Sequence, residues 1–310
     1  MPIALTQSEQ GGLIVLEWFS CPDKEIVPVK DCLQHCRMEE RCLTLPTLKL
    51  ISSEREWDGK PSTTMLLNGT IYSFLKLTQP YCIDPDSRAF MLAGTKHHNA
   101  LEEVAKELGL PSEIALNIDR DIFDLLEQDE DGGLVITDYK NFGSFKVAKA
   151  LGIVETGKQP DPNGAVYLRS GAWGKAGSPK MVSVFQQMPQ EADNWEAEYQ
   201  LNRYRIMLEE KGVQIKRMQV QVTVRDGGLS VAHSRGITRN TYRIPIPKLD
   251  DKQVEDYFAA KEKALLTALE QGSWAEPCNE IESWEGARCR GYCEVWRYCP
   301  RGVLAHPRGG

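Results

Sequence analysis

The chain has 310 residues, of which 41% are hydrophobic and 26% are charged, and its formal net charge is −7. This composition is typical of a globular protein with material for a core, in one large or two modest domains. It excludes a membrane protein built on long apolar helices, because no apolar run approaches the ~18 residues that a spanning helix needs. The opening MPIALTQSEQ lacks a signal-peptide pattern, so we expect a cytoplasmic, soluble protein.

The first half of the chain predicts helices. Residues 44–58 and 62–78 have helix-compatible apolar spacing, with Ser62 as a cap for the second. The stretch 84–90, DPDSRAF, reads as a turn-rich link. A helix is then predicted from about Phe90 to Leu108, where Gly109 and Pro111 end it.

A β-rich stretch follows. Strands are predicted over 114–127, 133–140, 165–171, 180–188 and 213–228, and the DEDGG sequence at 129–133 is a hairpin turn signal. Helices are predicted over 194–212 and 250–271. The order of elements indicates a mixed α/β core with a helical flank.

Eight of the nine cysteines form two sets with one repeated spacing. In each set, successive cysteines are separated by ten, three and five residues. In a reducing cytoplasm such sets favour metal ligation over disulfides, and four thiolates can hold Zn²⁺ or a [4Fe–4S] cluster. The repeat predicts two local quartets, one at each end of the chain. They are Cys21, Cys32, Cys36 and Cys42, and Cys278, Cys289, Cys293 and Cys299.

One segment departs from the acidic balance. Residues 203–248 hold ten lysines or arginines against three acidic residues, a net charge of +7. Such a segment could follow a phosphate backbone, or it could be an ordinary solvated face.

The predicted hairpin gathers groups that can do chemistry. Asp124 lies on its first strand, and Asp138 and Lys140 lie two apart on its second, so both point to one side. Two carboxylates form a hard-oxygen site for Mg²⁺ or Mn²⁺, which can activate water against a phosphodiester. The ammonium can balance charge developing on the phosphate.

Several short motifs follow one another along the chain in an order that is found in a known family. GTKHHNALEE has a glycine, a histidine four residues on and a glutamate four further. The Asp strand, DYK, a helical Gln-x-x-x-Tyr at Gln200 and Tyr204, and a cysteine cluster follow. This order resembles the RecB-like branch of the PD-(D/E)XK nuclease superfamily, and most of all its iron–sulfur members among CRISPR-associated exonucleases and phage proteins. The resemblance covers roughly residues 40–300.

The resemblance implies a restriction-endonuclease-like fold and a role for each matched residue. His98 would contribute to the metal site, with His97 the lesser candidate. Asp124 and Asp138 would bind the metal, with Asp119 and Asp121 as rivals to Asp124. The remaining roles are the Tyr139 backbone carbonyl as a further ligand, Lys140 as the catalytic lysine, and Gln200 and Tyr204 as its support and DNA contacts.

The resemblance also bears on the cysteines. In the iron–sulfur members one cysteine before the nuclease core joins three after it, which would pair Cys42 with Cys289, Cys293 and Cys299. The repeated spacing favours local quartets instead. We therefore divide the chain into a four-cysteine module (1–45), a helical region (46–110), a nuclease core (111–248) and a helix with a second four-cysteine module (249–310).

These expectations lead to a metal-dependent DNA nuclease, with exonuclease action expected. Trp173, Trp195 and Tyr204 could stack on unpaired bases, although core packing explains Trp195 equally well. A non-catalytic nucleic-acid-binding or assembly protein is one alternative. A nuclease subunit that acts only beside a helicase or integrase partner is another.

Overall fold

The structure, a computed structural model, describes residues 16–54, 56–116, 121–172 and 174–307. Within these ranges the chain mixes helices and strands, which confirms the α/β class. The helices are α1 Val29–Gln34, α2 Leu45–Ile51, α3 Thr63–Leu66, α4 Thr70–Thr78, α5 Pro85–Ala89, α6 Met91–Glu107, α7 Ser144–Leu151, α8 Trp195–Glu210, α9 Ser230–His233, α10 Asp251–Gln271, α11 Ala287–Gly291 and α12 Pro300–Ala305. The strands are β1 Leu16–Ser20, β2 Ile26–Pro28, β3 Tyr81–Ile83, β4 Ser112–Ala115, β5 Ile122–Gln128, β6 Leu134–Phe142, β7 Ile153–Pro160, β8 Met181–Gln187, β9 Ile215–Val224 and β10 Thr241–Ile246.

The chain divides into two compact units that each draw on separated stretches. The first unit takes in Met1–Asn99, Ala115–Asp121 and Leu249–Gly310. The second takes in Ala100–Ile114 and Ile122–Lys248. No described helix is both long enough and apolar enough to span a membrane.

The second unit is built on a five-stranded mixed sheet in the order β10-β9-β6-β5-β4. Strand β6 pairs in parallel with β9 and antiparallel with β5. The β5–β6 pair is the predicted hairpin, and Asp129 closes its turn by accepting the Gly133 backbone N–H on Oδ1 at 2.8 Å. Gly132 in this turn has a φ of 84°, a left-handed conformation that favours glycine.

Helices cover both faces of this sheet. Gln200 of α8 reaches the Asp138 side chain on one face of β6. The last turns of α6 pack Ala105 against Tyr139 and Leu125. Because Asp138 and Tyr139 are successive strand residues that point to opposite faces, α6 and α8 lie on opposite sides of the sheet.

The first unit contains a small sheet and a helical layer. Strand β1 lies between β2 and β3, antiparallel to the former and parallel to the latter. Helix α10 packs against α3 and α4, burying Val254, Phe258 and Leu265. Its N-terminus is capped by the Asp250 side chain, which accepts the Gln253 backbone N–H at 2.9 Å.

Several predicted elements are confirmed. Helices α6, α8 and α10 and strands β6, β8 and β9 follow the predicted spans within a few residues. The Ser62 side chain caps α3 as predicted, by accepting the Met65 backbone N–H.

Other predictions differ from the structure. The predicted link at 84–90 contains α5, because Asp84 caps it and Pro85 suits the first helical position. The predicted strand 165–171 is wrong: Val166 forms only an isolated bridge, and Leu168 is 89% exposed, so no core lies behind the alternation.

Candidate functional site

A connected set of polar side chains lies on the second unit's sheet. Lys140 Nζ is 2.7 Å from Asp138 Oδ2 and 3.0 Å from Oδ1. From α8, Gln200 Nε2 donates to Asp138 Oδ1 at 3.3 Å and lies 3.4 Å from the Tyr204 hydroxyl. Asp138 is only 4% exposed. The fold therefore brings together four of the residues predicted from sequence.

Asp124 borders this set across the hairpin. The β5–β6 register pairs Leu125 with Thr137, so the next position places Asp124 beside Asp138. Asp124 Oδ2 accepts a hydrogen bond from the Tyr139 backbone N–H at 2.6 Å. This bond holds the carboxylate at the strand junction.

Glu113, which the motifs do not predict, also reaches this region. It lies on β4, the neighbour of β5, and its carboxylate and that of Asp124 offer ligand atoms within 4.8 Å of each other. Its φ of 49° is unusual for a residue with a side chain. A separation below 4.8 Å is compatible with two oxygens that share one octahedral Mg²⁺, whose ligands lie about 3–4 Å apart. They fit a hard cation, and no spacing in the sequence pointed to Glu113.

The lysine at this site is a cation. Burial lowers the pKa of Lys140, but the charge of Asp138, their hydrogen bond and the charges of Asp124 and Glu196 outweigh it, so the pKa lies above its usual value. Lys140 can therefore donate hydrogen bonds and stabilise negative charge, but it cannot accept a proton at neutral pH.

The side chain of Tyr139 packs in the core and does not face the Asp138–Lys140 pair. Its ring is buried against α6. Burial, then the charges of Glu127 and Asp124, raises the pKa of the Tyr139 phenol. The predicted role of its backbone carbonyl as a ligand stays a prediction.

The histidines lie on α6, in the part that belongs to the first unit. His97 and His98 are half-buried, and their rings meet edge to face at 6.3 Å. The glutamate of the same motif, Glu102, is paired with Lys106 one turn later. The role of His98 as a metal ligand stays a prediction.

The rivals to Asp124 have other positions. Asp121 is fully buried in the first unit, where it accepts the Thr63 backbone N–H at 2.7 Å at the start of α3. Asp119 lies outside the described residues, as does Trp173. Trp195 opens α8 and its ring lies 5.8 Å from that of Tyr199.

The basic segment 203–248 is partly neutralised. Arg205 is 1% exposed and is held by Glu209 at 2.7 Å, so it is unavailable to DNA. Arg217 pairs with Asp129 at 2.8 Å, and Lys216 pairs with Asp131 of the same turn. Arg235 and Lys248 also pair with acids. The acids of the DEDGG turn lie outside residues 203–248, so the net charge of +7 counted for that segment did not include them.

The four C-terminal cysteines meet in the first unit. All four line one small cavity of about 20 Å³ between α4 and the C-terminal segment. Cys289 and Cys299 are buried. Burial raises the pKa of Cys278 to about 11 and that of Cys293 to about 12, so both are thiols until a metal displaces the proton.

The N-terminal cysteines form their own neighbourhood. Burial, then the charges of Cys21, Cys36 and Cys42, raises the pKa of Cys32. Cys42 lines a cavity together with Cys21 and does not line the C-terminal one. The structure thus groups the cysteines locally, as their spacing does, and does not bring Cys42 into the C-terminal set.

Neither set has the geometry of a zinc tetrahedron. Sulfurs that share a Zn²⁺ at about 2.3 Å lie roughly 3.8 Å apart. No three cysteines of the described ranges bring their sulfurs within 4.8 Å of one another. The cysteines of each set are neighbours, but their sulfurs lie farther apart than those of a bound zinc site.

Comparisons with known proteins give little. No protein-family description matches the chain, and no curated protein is significantly similar to it. A solved structure described as "Crystal structure of SSO0001" aligns with 82% of this chain and 92% of its own, at a TM-score of 0.38 and 13% sequence identity. A likeness this weak carries no argument about fold or function.

Proposed function

We propose that this protein is a metal-dependent DNA nuclease of the RecB-like PD-(D/E)XK type. The observation that carries the proposal is the hydrogen-bonded set of Asp138, Lys140, Gln200 and Tyr204, with Asp124 beside it. This set joins a strand hairpin to a helix that lies 60 residues further along the chain. The sequence resemblance assigns the same residues to one reaction.

Asp124, Glu113 and Asp138 would hold Mg²⁺ or Mn²⁺, together with His98 and the Tyr139 carbonyl, to which the resemblance assigns the same role. The bound ion would supply Lewis acidity to the scissile phosphate and lower the pKa of a water molecule. Glu113 and Asp124 fit this role because their oxygens already lie within 4.8 Å of each other.

Lys140 would act on the phosphate as a fixed positive charge. Its raised pKa keeps it protonated, so it stabilises charge that develops on the phosphate oxygens and is not the general base. Gln200 positions the Asp138 carboxylate from α8. Tyr204 is buried, at 4% exposure, and supports Gln200, so we assign it a positioning role and not a stacking one.

The test compares two lysines on neighbouring elements. Lys140→Ala and Asp138→Ala should abolish Mn²⁺-dependent cleavage of labelled single- and double-stranded DNA. Lys146→Ala removes an exposed lysine that pairs with Glu196 at 2.8 Å, and it should cleave like the wild type. Undiminished cleavage by both active-site variants would rule out this assignment.

A non-catalytic DNA-binding or assembly protein is the second candidate, and one observation favours it. Lys140 Nζ lies 2.7 and 3.0 Å from the two Asp138 oxygens, and Gln200 donates to Oδ1, so a protein cation already balances the charge of the carboxylate. A purified protein that binds DNA but never cuts it, with Mg²⁺, Mn²⁺ or another divalent ion, would establish this reading.

We further propose that the two cysteine sets bind metal. The C-terminal set lines one cavity, and the N-terminal set carries the same spacing. Anaerobic purification followed by visible absorption and by iron and zinc analysis tests this. A broad brown absorption band with bound iron would indicate [4Fe–4S], and bound zinc without colour would indicate a structural zinc site. A protein that contains no iron and no zinc would overturn the proposal.

A further inference from the structure

One cavity of the first unit has no role in the proposed reaction. It has a volume of about 410 Å³ and is walled by β1, β3, the start of α5 and the segment from Gly291 to Tyr298. That volume lies within the roughly 300–1,000 Å³ of small-molecule sites. Its walls come from stretches of chain more than 200 residues apart, so no motif marks it.

Aromatic rings dominate its rim. Trp18, Tyr292, Trp296 and Tyr298 all line it. Tyr292 is 69% exposed and Tyr298 is 39% exposed, which is unusual for rings that could be packed in a core. The Trp296 ring is stacked on His306 with centroids 4.1 Å apart, so its orientation is set before any ligand arrives.

The charges of the cavity leave one available cation. Glu294 pairs with Arg88 at 3.4 Å and with Lys76 at 3.8 Å, and it accepts a hydrogen bond from the Tyr72 hydroxyl at 2.9 Å. Asp84, an exposed acid on the same wall, accepts hydrogen bonds from the Asp86 backbone N–H and the Ser87 hydroxyl, which occupy its oxygens without balancing its charge. Arg297, in contrast, is exposed and forms no ion pair with any residue in the described ranges.

Arg297 is placed beside a ring. Its guanidinium lies 5.3 Å from the Trp296 ring centroid, within the distance of a cation–π contact. A flat aromatic platform next to an unpaired guanidinium suits a ligand with a flat ring and an anionic group. In single-stranded nucleic acid, every unit carries both.

We propose that this cavity binds an unpaired nucleotide of single-stranded DNA, with the base on the aromatic rim and its phosphate at Arg297. The proposal rests on the proposed function only in the choice of ligand. It makes the cavity a holding site for the strand, distinct from the Asp138–Lys140 site in the second unit.

The test measures binding without cleavage. A fluorescein-labelled dT8 oligonucleotide is titrated with protein in the absence of added divalent metal, and anisotropy is followed. Tyr292→Ala should weaken binding by roughly 5- to 150-fold, the effect of losing one stacking contact. Arg297→Ala should weaken binding and lower its salt dependence, because it removes a phosphate contact. Phe90→Ala, 67% exposed, and Arg290→Ala, also exposed, lie outside the cavity and should bind like the wild type.

A second measurement does not depend on variants. Photo-cross-linking of an oligonucleotide that carries bromodeoxyuridine, followed by peptide mapping, should label Tyr292, Trp296 or Tyr298. Absence of dT8 binding, or unchanged affinity in both cavity variants, would overturn the proposal. A protein that cuts DNA while these variants bind normally would overturn it and leave the nuclease assignment intact. A protein whose cavity variants lose dT8 binding but which never cuts DNA would support the cavity proposal and contradict the nuclease assignment.

Discussion

Replacing Lys140 with methionine leaves the Asp138 carboxylate buried without its cation. Asp138 is 4% exposed, and in the variant Gln200 would still donate to it at 3.3 Å. Removing one member of a buried ion pair costs about 3–5 kcal/mol. The Lys140 side chain is 27% exposed and Gln200 stays, so we expect about 2–3 kcal/mol of lost stability.

Thermal unfolding monitored by circular dichroism measures this loss. A shift of about 2–4 °C per kcal/mol is typical of domains near the size of the second unit, so Lys140→Met should lower the Tm of that unit by roughly 4–12 °C. The double variant Asp138→Asn/Lys140→Met should recover most of the loss, because it buries no uncompensated charge. Lys146→Met, which breaks an exposed pair, should change stability by about 1 kcal/mol or less.

The response to metal separates the nuclease proposal from a simple ion pair. In Lys140→Met the Asp138 carboxylate is available to a cation, so added Mn²⁺ should raise Tm more in the variant than in the wild type. A Lys140→Met variant as stable as the wild type would refute the buried-pair reasoning. So would a double variant no more stable than the single one.

Three further predictions concern Lys140, Gln200 and the buried face of α10. Because the folded pKa of Lys140 lies above its unfolded value, the stability gap between wild type and Lys140→Met should be full at neutral pH. It should shrink only as pH rises above about 10, in a series of urea melts. Gln200→Ala removes the helix-side support of Asp138 and should weaken Mn²⁺ binding by about 10- to 100-fold in calorimetric titration, while Gln214→Ala, an exposed glutamine, should not. Leu265→Ala, at a position 1% exposed on α10, should destabilise the first unit by about 2–5 kcal/mol in denaturant unfolding, and the 40%-exposed Leu266→Ala should cost far less.

The local sequence pattern was sufficient to predict several helices and strands of the second unit. The DEDGG turn and the strand-like residues around it predict the β5–β6 hairpin, and the hairpin in turn places Asp124 beside Asp138. Helix α8 is predicted by its pattern and its stop at Gly212, and the i, i+4 spacing of Gln200 and Tyr204 predicts one face. What the pattern could not show is that this face meets Asp138.

The strand prediction at 165–171 failed for a related reason. Alternating apolar residues indicate a strand only where one face of that strand is buried, and Leu168 is exposed to solvent. The basic segment failed because the acids that neutralise Lys216 and Arg217 belong to a turn more than 80 residues earlier. Both are properties of neighbours that are distant in sequence.

The sequence by itself determined the α/β class and the β5–β6 hairpin, because turns and periodicity act over a few residues. The repeated cysteine spacing also predicts the local neighbourhood in which the four C-terminal cysteines lie. Only the tertiary structure brought Glu113 to Asp124, since the order of strands in a sheet is set by long-range packing. It also assembled Trp18 with the ring cluster at 292–298 around one cavity, because burial of the small sheet against the C-terminal segment places them together.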